Sequence, residues 1–202
     1  MRRAVLALAL ISSTAIAKAP PGGFTADLSV GVQLPAADND YVRTTDPGFQ
    51  FGLRAGWDFH LTKMVGIGPE LGFDAAAVTA DTSTFQNVPS RFARVKGLFG
   101  ARFVLHFPIG FFFVRALFGV DHSEGYFEGV VFGVTLRSNW ATTGFAFVPE
   151  TGVMFRVWRM LHVGFTLGFP VATNKYTTNV QGLDKSFNSL DVTLQATVGV
   201  HL

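Results

Sequence analysis

Apolar and polar residues alternate with a period of two along most of the chain. From Phe24 to Leu34 every even-numbered residue is apolar, and the residues between them are small or polar. Successive side chains of a β-strand point to opposite faces of its sheet, so this pattern predicts a strand with two chemically different faces. The same alternation predicts seven further strands: Phe49–His60, Val65–Ala75, Arg91–Phe107, Phe111–Asp121, Thr143–Val157, Leu161–Val171 and Phe187–Leu202.

The segments between these strands alternate between short and long. The short ones are residues 61–64, 108–110 and 158–160, and the long ones, rich in Asp, Asn, Thr and Ser, are residues 35–47, 76–90, 122–142 and 172–186. An even number of strands, with short turns at one end and long loops at the other, is typical of barrels in bacterial outer membranes. We therefore predict an all-β fold, an eight-stranded antiparallel up-and-down transmembrane β-barrel.

Side-chain volume decides which face of the barrel meets lipid. The bore of an eight-stranded barrel is only wide enough to be filled by side chains. The more apolar face carries most of the 22 phenylalanines, which is too much volume for that bore, whereas the opposite face is rich in glycine. We therefore expect the phenylalanines to face outward and the polar residues to face the lumen.

The inward face then carries six basic and six acidic residues, namely Arg54, Arg94, Lys96, Arg102, Arg115 and Arg156 with Asp27, Asp58, Glu70, Asp74, Glu150 and Asp191. Lone buried charges carry a heavy desolvation cost, so we expect these side chains to pair across the bore. The predicted lumen ion-pair network comprises Arg54, Glu70, Arg102, Arg115, Glu150, Asp27, Asp58 and Arg156. Two roles fit such a network: it fills and registers the barrel, or its pairs exchange partners to pass ions.

Some inward positions are apolar instead. A candidate apolar track consists of Leu98, Val104, Phe111, Phe113 and Leu117. A continuous track of this kind would carry small hydrophobic molecules, and a discontinuous one would only pack the bore. The segment 122–142 is also rich in apolar residues, so it either extends the strands above the membrane or folds over the mouth as a lid.

The amino terminus predicts export rather than a nucleic-acid partner. Arg2 and Arg3 precede a short apolar run that ends in the small residues around Ala17, a pattern typical of a secretory signal peptide. We therefore predict a signal peptide at residues 1–17 and a barrel domain at residues 18–202. Loss of the two arginines leaves 14 basic residues against 14 acidic ones, and a neutral chain argues against nucleic-acid binding.

The chain has no cysteine, which excludes disulfides and thiolate metal sites. Four histidines fall at the predicted periplasmic strand ends: His60, His106, His162 and His201. Such a ring of imidazoles would cap the bore, bind a transition metal or sense pH. We favour capping, and we predict no cofactor and no metal site.

These features together resemble the small eight-stranded outer-membrane barrels, the group that includes the transmembrane domain of OmpA and OmpX. The resemblance spans Phe24 to Leu202 and includes a final strand of alternating apolar residues, although the chain ends in Leu202 where an aromatic residue is usual. It implies contact with outer-membrane lipid and lipopolysaccharide, recognition of the final strand by the barrel-assembly machinery, and a monomeric state. Because the sequence stops at Leu202, we expect no peptidoglycan-binding domain after the barrel.

Some barrels of this group modify lipids, so a catalytic site has to be considered. The segment from Asp121 to Glu124 contains a histidine next to a serine. Neighbouring residues of a strand point to opposite faces, so His122 is poorly placed to act as a base for Ser123. We predict no catalytic residues and a structural or surface-interaction role. The alternatives are a passage for small hydrophobic molecules like that suspected in OmpW-like barrels, a low-conductance ion channel or, less favoured, a lipid-modifying enzyme.

Overall fold

A computed structural model describes residues 22–36, 47–80, 90–131, 134–178 and 186–202 of the chain. The predicted signal peptide lies outside the described residues. The described part forms nine strands: β1 (Gly23–Pro35), β2 (Gly48–His60), β3 (Val65–Ala80), β4 (Ser90–Phe107), β5 (Gly110–Val131), β6 (Val134–Trp158), β7 (Leu161–Gly168), β8 (Val171–Thr178) and β9 (Ser186–His201).

All strand pairings are antiparallel, and the sheet closes on itself. Each of β1 to β6 pairs with the next strand in sequence, and β1 pairs with β9, for example Leu28 with Leu53 on one side and with Val198 on the other. The strands β7 and β8 both lie between β6 and β9, so the nine strands form a ring of eight. The predicted eight-stranded up-and-down barrel is confirmed.

The seventh predicted strand, Leu161–Val171, is wrong as a single strand because it is interrupted after Gly168. Proline has no backbone N–H to donate to the ladder, and Pro170 falls at the break. The neighbouring backbone stays bonded, since Phe169 N donates to Pro149 O at 2.9 Å. The register against β6 is the same on both sides of the break, so β7 and β8 act as one position of the ring.

Three predicted loops are shorter than expected. Instead of a loop at 122–142, β5 continues to Val131 and β6 begins at Val134, which makes this segment an extension of the two strands. The strand β3 continues to Ala80, and residues 171–178 form β8. This outcome is the strand extension that the sequence offers as one alternative to a lid.

Pro69 and Pro149 lie within strands, where each removes a hydrogen bond of the ladder, but neither shifts the register of its strand. The irregularity that the structure contains lies instead near the end of β6, between Arg156 and Trp158.

The two faces of the barrel differ as the alternation predicts. Large apolar side chains are exposed on the outer face, including Phe49, Leu71, Phe99, Phe145 and Phe165, while the charged side chains of the inner face are buried. The described residues include no helix long and apolar enough to cross a membrane. Large apolar side chains exposed at alternate positions of the strands require an apolar surrounding, so the outer face is the lipid face.

Close packing fills the lumen, and glycine makes room for it. A Cβ atom on Gly152 would lie 2.5 Å from the ring of Phe113, which occupies the space that a side chain on β6 would need. A larger residue at position 152 would therefore displace a fully buried phenylalanine.

We expect Phe99→Arg to lower the free energy of unfolding by about 2–4 kcal/mol, because a charge at mid-height of the outer face has to leave water for hydrocarbon. The control is Leu61→Arg in the β2–β3 turn: both native side chains are 62% exposed, but Leu61 lies at the membrane edge. Its substitution should cost about 0–1 kcal/mol. Urea titration in lipid vesicles measures both values, and equal effects would contradict a lipid-facing Phe99.

Candidate functional site

The candidate site is the set of charged side chains inside the barrel. Alternation along each strand places them on the inner face, and the ladders bring some into direct cross-strand pairs. Arg102 on β4 lies opposite Arg115 on β5, and Arg115 lies opposite Glu150 on β6. Two arginines side by side repel each other unless carboxylates surround them, and the carboxylates come from other strands.

Arg115 is fully buried at the centre of this set. Its Nε lies 2.9 Å from Glu70 Oε2, and its Nη1 lies 3.4 Å from Glu150 Oε2. Its Nη2 also donates to Asp27 Oδ2. Arg115 therefore connects carboxylates from β1, β3 and β6 across the bore, and its guanidinium also lies 4.2 Å from the centre of the Phe113 ring.

Arg102 and Arg54 extend the network on either side. Arg102 binds Asp58 with Nη2 to Oδ2 at 2.7 Å and Asp27 with Nη1 to Oδ2 at 3.2 Å. Arg54 on β2 binds Asp74 at 2.6 Å and reaches across the bore to Glu150 on β6 at 2.5 Å. These contacts join the six strands β1 to β6 by ion pairs inside the lumen.

A second cluster lies further along the strands, toward the end with the long connections. Arg94 on β4 binds Asp121 on β5 with Nη2 to Oδ2 at 2.5 Å and Asp191 on β9 with Nη1 to Oδ2 at 2.6 Å. Ser189 and Asn174 complete it with hydrogen bonds of 2.7 and 2.9 Å. Asp121 is absent from the predicted network, although its inward position at the end of the predicted fifth strand was a signal that it belongs to the lumen.

Arg156, by contrast, does not join the network. Its side chain is exposed at the end of β6 next to the short β6–β7 turn, beside the register irregularity, and it forms no ion pair with the described residues. Alternation along a strand indicates which face a residue lies on but not how far along the barrel axis it lies. This is why Arg156 was included in the predicted network. Without Arg156 and with Asp121, the described lumen buries five cations, Arg54, Arg94, Lys96, Arg102 and Arg115, and seven acids, Asp27, Asp58, Glu70, Asp74, Asp121, Glu150 and Asp191.

The five residues of the predicted apolar track are all buried, but they fall into two separate clusters. One contains Leu98 and Leu117 with Ala146, Val148 and Ala172. The other contains Val104, Phe111 and Phe113 with Met154. Arg102 and Arg115 stand between the two clusters in sequence and on the same inner face. The structure therefore divides the apolar surface rather than making it continuous.

His122, the candidate base, lies on the outer face and contacts a threonine rather than a serine. Its Nδ1 lies 2.8 Å from Thr143 Oγ1 and its Nε2 lies 3.0 Å from Glu124 Oε1, whereas Ser123 is buried on the inner face. Both His122 and Thr143 sit within the β5–β6 ladder. Ladder pairing occupies backbone N–H groups there, so this row of side chains lacks the free amide donors of an oxyanion hole.

Within the parts of the chain that the structure describes, no group of three or more His, Asp or Glu side chains is arranged to hold a metal ion.

The sequence of the chain was compared with models of known protein families and with curated proteins, and its fold with solved structures. A sequence model of the family described as outer membrane protein beta-barrel domain matches residues 4–201. A search of curated protein sequences gives no significant match.

Three solved structures are similar in fold to this chain. Ail, the attachment invasion locus protein of Yersinia pestis, solved in complex with the heparin analogue sucrose octasulfate, is 13% identical with a TM-score of 0.53, covering 91% of this chain and 100% of Ail. A major outer membrane protein from Thermus thermophilus is 12% identical with a TM-score of 0.50, covering 91% and 100%. The outer membrane protease OmpT from Escherichia coli is 8% identical with a TM-score of 0.47, covering 92% and 98%. At these identities the likeness concerns the fold alone.

We expect Arg115→Met to lower the free energy of unfolding by about 3–5 kcal/mol, because it leaves buried carboxylates without their shared cation. The control, Arg156→Met, removes an exposed arginine without an ion pair and should cost less than about 1 kcal/mol. Urea titration in lipid vesicles, followed by the fluorescence of the three tryptophans, measures both.

A second substitution separates lost charge from lost packing. Adding Glu70→Gln to Arg115→Met removes one of the carboxylates left unpaired, so the double variant should be more stable than Arg115→Met alone. A double variant that is less stable would show that Arg115 stabilises the barrel by packing and not by charge.

Proposed function

Because the chain belongs to the family of outer membrane protein β-barrel domains, we propose that it is a sealed outer-membrane barrel with a structural and surface-interaction role. The observation that carries the proposal is the ion-pair network across the bore. Arg115 and Arg54 reach carboxylates on opposite strands, and their side chains are almost completely buried. A lumen filled in this way leaves the outer end of the barrel as the surface available to partners.

The arrangement of charges favours a seal over a channel. Each arginine of the central network has at least two carboxylate partners within 4 Å, so ion passage would require several buried contacts to break together. Each broken contact would expose an unpaired charge to a low-dielectric interior. The divided apolar clusters favour packing in the same way, because a hydrophobic passage needs a continuous apolar surface.

The length of β5 and β6 supports the surface-interaction role. A tilted transmembrane strand needs about 9–11 residues to cross the hydrocarbon layer, and β5 has 22 residues while β6 has 25. Among the side chains that the structure describes in β5, which end at Tyr126, the last exposed large apolar one is Val120, and the outer face then carries His122 and Glu124. Residues 121–131 therefore extend beyond the membrane by about 3.4 Å per residue along the strand.

The partners follow from the same surfaces. The outer face contacts outer-membrane lipid, and the polar rim above it contacts lipopolysaccharide. The exposed alternating residues of β9, from Leu194 to Leu202, are the segment offered to the barrel-assembly machinery after export and removal of residues 1–17. We further propose a monomer without cofactor or enzymatic activity, which is supported by the closed ring of strands and by the lack of amide donors around His122.

Planar-bilayer recordings test the seal. We expect no single-channel current from the wild type, Glu70→Ala or Arg102→Ala, because Arg115 and Arg54 still span the bore in each variant. Arg156→Ala, outside the network, is the matched control. Discrete currents from the wild type that change with Glu70→Ala or Arg102→Ala, but not with Arg156→Ala, would establish the ion-channel alternative instead.

Single cysteines test which end faces outward, since the native chain has none. We expect Glu124→Cys, on the extension of β5, to react on intact cells with a maleimide coupled to a polymer too large for porins. Lys63→Cys, in the β2–β3 turn, should react only after the outer membrane is opened. The reverse pattern would contradict the proposed orientation and with it the surface-interaction role.

A further inference from the structure

The end of the barrel that carries the short turns contains a cavity beside the ion-pair network, and Asp58 of the network contributes to its lining. Its volume is about 180 Å³, and its lining includes the four histidines His60, His106, His162 and His201 together with Arg156 and Arg159. We call this cavity the vestibule. Strand ends and the β6–β7 turn supply these residues, so they come together only when the barrel closes.

Phe111 closes the vestibule toward the lumen. Its ring is buried and lies 4.5 Å from the ring of His201, 5.2 Å from that of His162 and 5.8 Å from that of His106, measured between ring centres. His60 stacks on His106 with ring centres 5.1 Å apart. The imidazoles therefore surround one phenyl ring, and the cavity opens toward the periplasm.

Three buried polar atoms of residues that line the vestibule have no hydrogen-bond partner. They are the hydroxyl of Thr25, which is only 3% exposed, and the ring nitrogens His60 Nδ1 and His106 Nε2. Buried polar atoms are nearly always paired in folded proteins, so unpaired atoms next to a cavity indicate a missing partner. A hydroxyl and imidazole nitrogens are all able to donate to it.

The charges of the vestibule favour an anion as that partner. Arg156 and Arg159 form no ion pair with the described residues. The lining residue with a side-chain carboxylate, Asp58, already receives two contacts from Arg102, at 2.7 and 3.3 Å. Asp27, which lies 3.3 Å from His201 Nε2, is likewise held by Arg102 and Arg115.

We propose that the vestibule binds a phosphate group presented from the periplasmic side. Arginine recognises phosphate through paired N–H donors, and the threonine hydroxyl and imidazole N–H groups supply further donors to its oxygens. The group has two sources with the same chemistry, free phosphate and the headgroup of a phospholipid in the inner leaflet. Phosphate binding in the vestibule does not depend on whether the lumen conducts ions. The two proposals can therefore be tested separately.

Titration with inorganic phosphate tests the proposal, using the full barrel folded in an uncharged maltoside detergent that contains no phosphate. We expect saturable binding, followed by calorimetry and by shifts of the histidine ring signals in NMR spectra. Arg156→Gln and Arg159→Gln should each weaken it about tenfold, the usual effect of losing one charged hydrogen-bond donor. Thr25→Val, which keeps the shape of the side chain, should weaken it about threefold.

The matched control is Lys63→Gln, which removes a cation from the neighbouring β2–β3 turn outside the vestibule and should leave the affinity within about twofold. Repeating the titration in phospholipid nanodiscs distinguishes the sources. Unchanged binding indicates free phosphate, and loss of binding together with contacts between headgroup phosphorus and the histidine rings indicates the lipid. No saturable binding in detergent, or an equal loss with Lys63→Gln, would overturn the proposal.

Discussion

Charge compensation inside a narrow bore is the constraint on which the rest of this structure depends. An eight-stranded barrel encloses too little space for hydrated ions, so each inward charge has to find its partner on another strand. Arg115 meets this requirement by contacting acids from β1, β3 and β6. Because these partners are far apart in sequence, the contacts form only when every strand has its correct register and neighbour.

The same contacts determine how the remaining lumen is used. Arginines at mid-height interrupt the apolar side chains of β4 and β5, which leaves one apolar cluster above them and one below. The lower cluster includes Phe111, whose ring also forms the end wall of the vestibule. The central ion pairs thus separate the two apolar clusters. The side chains at one end of the barrel therefore do not contact those at the other end through a continuous apolar core.

Alternation alone predicted the faces of the barrel, because the period of a strand is fixed by backbone geometry. The alternation predicted poorly how far along the barrel axis each residue lies. Arg156 and Arg115 share an inward assignment, yet one is exposed at a strand end and the other is buried at the centre of the network. Asp121 was left out of the predicted network because it ends the predicted fifth strand next to polar residues, and the break at Pro170 was missed because the apolar pattern continues across it. The position of a residue along the barrel axis and the continuity of a strand depend on contacts between strands. A single sequence does not show these contacts.

The vestibule follows from the same division of the barrel. Since the network and Phe111 close the lumen above it, a ligand enters this cavity only from the periplasmic side. Its histidines lie on the inner face at strand ends, and its two arginines are exposed and form no ion pair with the described residues. The cations of the network are buried among carboxylates that outnumber them, whereas the two arginines at the mouth are exposed, where water and a phosphate oxygen are both available as partners.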